Sequence, residues 1–405
     1  MFVKEVKAKL IRNSRKEATI EISLETYEGK FKASSPSGKS RGVHEVEPWN
    51  RRGIKRSLKM VRVFAKRLKH VNFLMKKVDD LQLLRTEIGK FEARHGRLGG
   101  NVTCALDIVF LRAAAKEKKK ELWEFIYDSS EKNSRKKPKM PMPVGNCVGG
   151  GVHSKLTRGK KPDFQEFLLI PKTKEFSKAV TKMVHAYHHA KSLLKARGRE
   201  DEGAWMTDKT NEEVLFILRK VGQRFGVKIG IDAAASIFYK KGYYLYKNKE
   251  LIRDKLDQAE YIERLINKYK LFYVEDGLQE EDFGGFKEVV NALDRKDKKT
   301  LVVGDDLTTT NLARVRRAVR SGSMNAVIIK PNQIGSILEV SKVVDFCKKN
   351  KIKTVFSHRS GETMDDSLGD LAVGFGADFI KCGIYGRERL VKLKRIMDIE
   401  KGLKR

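Results

Sequence analysis

Apolar and polar positions alternate with a period of two at Val3–Leu10 and Ala18–Thr26, and Gly29 suits a turn before Lys30–Ser34. Successive side chains of a strand face opposite ways, so these segments predict strands. The period then changes. Apolar residues recur three and four apart over Ile54–His70, Asp79–Phe91 and Asn101–Lys118, which predicts helices. Strands followed by helices make a small α+β unit. Asp128–Lys139 is polar and basic and reads as a linker. The predicted organisation is an N-terminal domain over residues 1–128, a linker over 129–138 and a second domain over 139–405.

The second domain has a different rhythm. Short runs of Val, Ile, Leu and Phe each stop at a charged or polar residue and lead into a helical pattern. The runs are Ile229–Asp232, Leu271–Glu275, Leu301–Asp305, Ala326–Lys330, Thr354–His358 and Asp378–Lys381. From Glu275 onward their endpoints lie 23 to 30 residues apart, the length of one βα unit. Repeated units of this kind predict parallel strands, closed into a barrel or open as a doubly wound sheet. In a barrel the carboxyl ends of the strands converge on one face, where chemistry is done. Here those ends are Asp232, Glu275, Asp305, Lys330, His358 and Lys381. Three carboxylates and two lysines in one buried mouth repel their own kind and resist desolvation. A divalent cation resolves the acids. Oxygen ligands without cysteine favour Mg²⁺ or Mn²⁺.

Charge widens the choice of partner. The 405 residues carry 86 Lys and Arg against 52 Asp and Glu, a net charge of +34. That predicts an anionic partner: nucleic acid, a membrane surface or a phosphorylated small molecule. The excess is densest in the first third, and Arg51–Lys69 contains no acid. Within it Ile54, Leu58, Val61, Ala65 and Leu68 recur at helical spacing. The stretch reads as a nucleic-acid-binding helix or as an amphipathic helix with a solvated cationic face. No helix-turn-helix, zinc-finger or RNA-binding signature accompanies it. A hydrophobic content of 40% excludes a disordered basic tail. No apolar run approaches the roughly 18–20 residues that span a bilayer. Met1–Glu5 lacks the apolar stretch of a secretory leader, and Cys104, Cys147, Cys347 and Cys382 are far apart. The expectation is a reduced, cytoplasmic protein without disulfides.

Several segments, in order along nearly the whole chain, resemble the enolase (phosphopyruvate hydratase) family. They are Gln165-Glu166-Phe167, Asp232-Ala233-Ala234-Ala235-Ser236, Val274-Glu275-Asp276, Gly304-Asp305-Asp306-Leu307-Thr308, Lys330-Pro331-Asn332-Gln333-Ile334-Gly335 and Ser357-His358-Arg359-Ser360-Gly361-Glu362-Thr363. Pro36–Gly42 resembles the family's mobile lid, and Arg97-Leu98-Gly99-Gly100-Asn101 the opening of a long helix in its cap domain. The resemblance implies an α/β fold: an irregular eight-stranded enolase-type barrel behind an N-terminal α+β capping domain, assembled as a homodimer or larger. It implies reversible dehydration of 2-phosphoglycerate to phosphoenolpyruvate. Asp232, Glu275 and Asp305 match ligands of a first Mg²⁺, and Ser40 matches a lid ligand of a second, which joins with substrate. Lys330 matches the general base, its neutral form favoured by neighbouring cations. Glu202 matches the general acid, with Glu166 its companion. Lys381 matches the group that binds substrate carboxylate, Arg359 and Ser360 the phosphate clamp, and His153 and His358 two pocket histidines. Outside the resemblance, His153 lies in a glycine-rich turn and Glu200-Asp201-Glu202 reads as a solvated acidic loop.

The departures cluster in loops. The family's lid reads Ser-Gly-Ala-Ser-Thr-Gly; here Lys39 and Arg41 replace Ala and Thr, adding two cations expected near the substrate phosphate. Gly149 stands where the family has Asn, and the His153–Glu166 loop is longer and carries Lys155, Arg158, Lys160 and Lys161. Two alternatives follow: a divergent paralogue acting on another 2-phospho acid, or a polyanion- or RNA-binding protein on the same fold.

Overall fold

The computed structural model describes every residue except 40, 130–136, 155, 157–159, 249–250, 295–298 and 405. Three strands come first: β1 (Glu5–Arg12), β2 (Ala18–Thr26) and β3 (Gly29–Ser34), in one antiparallel sheet. On β2, Ile20, Ile22 and Leu24 are fully buried while Glu21, Ser23 and Glu25 alternate outward. Four helices follow: α1 (Ile54–Leu68), α2 (Leu81–His95), α3 (Gly100–Glu117) and α4 (Leu122–Asp128). The sequence pattern did not reveal α4. Helix α3 is buried along almost its whole length, as its Val, Leu, Phe and Ala content requires, and packs on β2 and β3. Helix α1 sends Met60, Val61, Phe64 and Leu68 into the core and leaves Lys55, Lys59, Arg62 and Lys66 in solvent. The acid-free stretch therefore has the geometry of an amphipathic helix with a cationic outer face. Most of the expected linker lies outside the described residues.

The larger unit begins with β4 (Met142–Gly149), β5 (Glu166–Pro171), α5 (Phe176–Leu194), α6 (Asn211–Phe225) and β6 (Val227–Asp232). A small antiparallel meander follows, β7 (Tyr239–Lys240), β8 (Tyr243–Tyr246) and β9 (Leu251–Arg253). The rest alternates: α7 (Lys255–Tyr269), β10 (Tyr273–Glu275), α8 (Phe283–Asp294), β11 (Leu301–Gly304), α9 (Leu312–Arg320), β12 (Ala326–Ile329), α10 (Pro331–Ile334), α11 (Ile337–Lys349), β13 (Lys353–Ser357), α12 (Ser367–Gly374), β14 (Phe379–Lys381) and α13 (Arg387–Leu403). Eight strands close into a barrel in the order β10-β11-β12-β13-β14-β4-β5-β6. All neighbours are parallel except β5, which runs antiparallel to both β4 and β6. The irregular opening of the barrel is this reversed strand.

The continuous apolar runs have a physical reason. Alternate residues face two separate cores. Val144, Leu168, Ile170, Tyr273, Val303, Ile328 and Val355 fill the barrel interior. Val274, Val302, Val327, Ile329, Phe356 and Ile380 face the surrounding helices. Both faces of a barrel strand are buried, so no polar alternation survives. No helix among the described residues is long and apolar enough to cross a membrane, and all four cysteines are buried and free.

Candidate active site

Six of the eight barrel strands end their apolar run at the rim of the interior core, at or next to a charged or titratable residue. Asp232 ends β6, Glu275 ends β10, Lys381 ends β14, and Asp305, Lys330 and His358 each follow their strands directly. Glu166 reaches the same rim by another route. It starts β5, and because β5 runs backward its first residue pairs with Asp232 and Gly149 at the mouth. A rule based on carboxyl strand ends cannot find it. All of these groups except the fully buried Glu275 line one cavity, together with His153, Glu202, Arg359 and Ser360.

The charges pair across the mouth. Lys381, 3% exposed, places Nζ 2.8 Å from Asp232 Oδ2, 2.8 Å from Glu275 Oε1 and 3.1 Å from Glu166 Oε2. Burial works to strip its proton, but the three carboxylates outweigh burial and hold the ammonium well above its ordinary range. Burial pushes the Glu275 carboxyl well up, and the Asp232 charge beside it adds to this. Glu166 rises to about 8, through burial first and then the Glu202 and Asp232 charges, with Lys381 pulling the other way. Across the pocket Lys330 Nζ donates to Asp305 Oδ2, and Gln333 Nε2 donates to Asp305 Oδ1 at 3.0 Å. Burial alone would raise Asp305, but the adjacent Lys330 ammonium holds it low. Burial alone would lower Lys330, but Asp305 holds it high. In the chain by itself, then, Lys330 is held as a cation; the neutral form expected from neighbouring cations is not what Asp305 favours.

The acid side is a nest of buried groups. Glu202 Oε1 lies 3.6 Å from His153 Nδ1, and Glu202 Oε2 lies 3.5 Å from His358 Nε2. Both ring nitrogens of His153, Nδ1 of His358 and Oε2 of Glu202 are buried without hydrogen-bond partners. Burial lowers the pKa of both imidazoles, so they are neutral. Glu200-Asp201-Glu202 is not a solvated loop. Glu200 and Glu202 are buried, and Glu200 accepts from the Glu202 and Ala204 amides at 2.7 and 2.8 Å. Gly149 makes room for this: a Cβ there would stand 2.4 Å from Glu200 Cγ.

The lid side differs from expectation. Ser40 lies outside the described residues. Lys39 Nζ donates to the Val152 carbonyl at 2.8 Å, and the exposed Arg41 turns to Glu47 at 3.3 Å; neither lines the cavity. Arg359 Nη2 instead meets Glu45 at 2.9 and 3.1 Å, while its Nη1 donates to Asn332 Oδ1 at 3.1 Å. Ser360 Oγ accepts from the Lys39 amide at 2.7 Å. Of the loop from His153 to Glu166, Lys161 is held on the Ser154 carbonyl, and Lys155 and Arg158 lie outside the described residues.

Among the described residues, two acidic groups bring ligand atoms within 4.8 Å of one another: His153-Glu166-Glu202 and Asp276-Asp305-Asp306. Asp232, Glu275 and Asp305 are not gathered that closely, because Lys381 spans the first two and Lys330 holds the third. Asp276, Asp306, Glu200 and Glu45 were given no site role from the sequence. Asp276 accepts from the Asp305 and Asp306 amides at 3.0 and 2.7 Å and so sets that turn. The signal was present as the doublets Glu275-Asp276 and Asp305-Asp306, of which only one member each sits at a strand end.

Fold and cavity define an α/β-barrel enzyme whose mouth, capped by an N-terminal α+β unit, is built to pair buried carboxylates with cations. Residues 3–126 match the family profile described as "Enolase, N-terminal domain", and residues 137–405 that described as "Enolase, C-terminal TIM barrel domain". The enolase of Methanosphaera stadtmanae is 32% identical, with 99% of this chain and 97% of that protein covered. For the enolase of Pyrobaculum aerophilum the figures are 36%, 95% and 91%, and for that of Archaeoglobus fulgidus 33%, 99% and 97%. The chain belongs to the enolase family.

Proposed function

We propose that the chain catalyses the reversible dehydration of 2-phosphoglycerate to phosphoenolpyruvate, as a hydro-lyase of glycolysis and gluconeogenesis. The observation that carries this is placement. Lys330 follows β12 and Glu166 opens β5, and these strands stand four apart in a ring of eight. The base and the companion of the acid Glu202 thus face one another across a single cavity. Elimination needs that arrangement, with a proton leaving one carbon and hydroxide the next. Family membership and near-full-length similarity to proteins named enolase support the same reading.

Lys330, once released from Asp305 and neutral, takes the proton from carbon 2. Glu202 gives a proton to the departing hydroxide, and Glu166 beside it shares that proton, because two adjacent buried carboxyls do not both ionise cheaply. The neutral imidazoles of His153 and His358 flank the acid and accompany its proton. Arg359 and Ser360 bind the phosphate, for which a planar guanidinium is suited, and Lys381 binds the carboxylate. Asp232, Glu275 and Asp305 would hold a divalent cation. The donor set fits: all three offer hard oxygens, and in the chain alone two of them already share one buried cation, the Lys381 ammonium. When bound, such a cation supplies neutralisation of the second negative charge that builds beside the carboxylate. Hard oxygens favour Mg²⁺; a second, joined through Ser40, is what the resemblance implies. The domains divide at 1–128, 129–138 and 139–405. The chain works in the cytoplasm, consistent with four buried free thiols, as a homodimer or larger. Phosphoenolpyruvate formation followed by absorbance tests the reading; a chain inactive on 2-phosphoglycerate at any Mg²⁺ concentration overturns it.

A further inference from the structure

The lid carries a lysine where the family pattern has alanine, and its ammonium does what an alanine has no atom to do. Lys39 Nζ donates to the Val152 carbonyl at 2.8 Å, one residue before His153. The same Nζ lies 3.9 Å from Asp201 Oδ2, one residue before Glu202. Arg15 also holds Asp201, at 3.2 Å. Two cations of the N-terminal unit thus grip the loop that delivers Glu202. The Lys39 amide is tied to Ser360 Oγ at 2.7 Å, which fixes the root of the side chain.

These contacts matter because the two gripped segments are turns: the Val148–Trp205 bridge ties their roots together, and Lys39 reaches their outer parts. Yet His153 Nδ1 and Glu202 Oε1 must be held face to face, and they stand 3.6 Å apart. A charge-assisted bond to a carbonyl is strong enough to order a turn. The Asp201 contact is longer and Lys39 is 30% exposed there, so solvent weakens that arm. Lys39 does not line the cavity, whereas its neighbour Gly38 does. Its contribution to the site therefore runs through the loops it holds.

We propose that Lys39 is a positioning residue that clamps the 36–39 segment onto the two turns carrying His153 and Glu202. The proposal rests on the reading that Glu202 is the proton donor. Hydrogen–deuterium exchange on the full chain reads the clamp without any substrate. Lys39→Met raises exchange across 149–154 and 200–204 by about tenfold, the equivalent of one lost hydrogen bond, and Lys39→Arg keeps wild-type protection. In turnover, Lys39→Met lowers kcat about tenfold with KM changed less than about threefold, and Lys39→Arg restores most of it. Wild-type exchange in Lys39→Met overturns the clamp. So does a rise in KM at unchanged kcat, which makes Lys39 a direct substrate contact. If the wild-type chain fails to turn over 2-phosphoglycerate, the functional reading falls and exchange alone decides the clamp.

Discussion

Lys381 and Lys330 divide four acids of the mouth between them. Lys381 spans Glu166, Asp232 and Glu275, and Lys330 binds Asp305. Removing either leaves buried carboxylates without a counter-charge. The two lysines nonetheless have different roles, and substitution separates them from the acid. Lys330→Ala and Glu202→Gln each lower kcat on the order of a thousandfold, the range for loss of a positioned acid or base. Circular dichroism of both variants remains that of wild type. Activity surviving in Lys330→Ala excludes it as the base. Asp232, Glu275, Asp305, Lys330, His358 and Lys381 were all legible as ends of apolar runs, because a parallel barrel brings such ends together. Glu166 was not, since its strand is reversed. Glu202 and His153 sit in turns whose burial depends on contacts far along the chain, and only resemblance marked them. Glu45 carried no signal, because its partner Arg359 is more than three hundred residues away.

Among elements, periodicity was most readable where one face or both faces of a segment are buried throughout. Helices α1 and α3 and six barrel strands follow their patterns closely. The exceptions are β4 and β5, the meander β7–β9 and the short α4. Pro141 precedes β4 and Pro143 lies in it, and the strand carries an irregularity between Asn146 and Val148, so no clean run appears. Helix α1 yields a test of the nucleic-acid alternative. Its apolar side is spent on the core. Reversing Lys55, Lys59, Arg62 and Lys66 to Glu leaves kcat on 2-phosphoglycerate unchanged, while filter binding to RNA, if present, weakens with a shallower salt slope. The joint between cap and barrel yields another. Asp107 on α3 is fully buried, meets Arg85 of α2 and accepts the Ile337 amide at the start of α11 at 2.8 Å. Arg85 also donates to the Gly335 carbonyl at 2.7 Å. Asp107→Ala strands that guanidinium and costs about 3–5 kcal/mol, as breaking a buried pair does. Urea unfolding measures it; a loss below 1 kcal/mol contradicts a joint of this kind.

For the whole molecule, a charge of +34 encloses a mouth whose defining groups are acidic. Cap and barrel meet above it. Ser37 and Gly361 exchange backbone hydrogen bonds at 2.9 and 2.8 Å, and Arg112 of α3 pairs with Asp365 and Asp366 after the 357–363 segment. The stem of the lid is thereby fixed to the segment that carries Arg359 and Ser360. The surface charge draws anions toward the protein, and the buried acids set what is done with one. The central claim is that these acids hold a divalent cation on which dehydration depends. The direct measurement is absorbance of phosphoenolpyruvate formed from 2-phosphoglycerate by the full chain, with Mg²⁺, after EDTA, and after Mg²⁺ is restored. The account predicts formation with Mg²⁺, none after EDTA, and recovery on restoration. Formation that continues undiminished in EDTA, or none at any Mg²⁺ concentration, contradicts it.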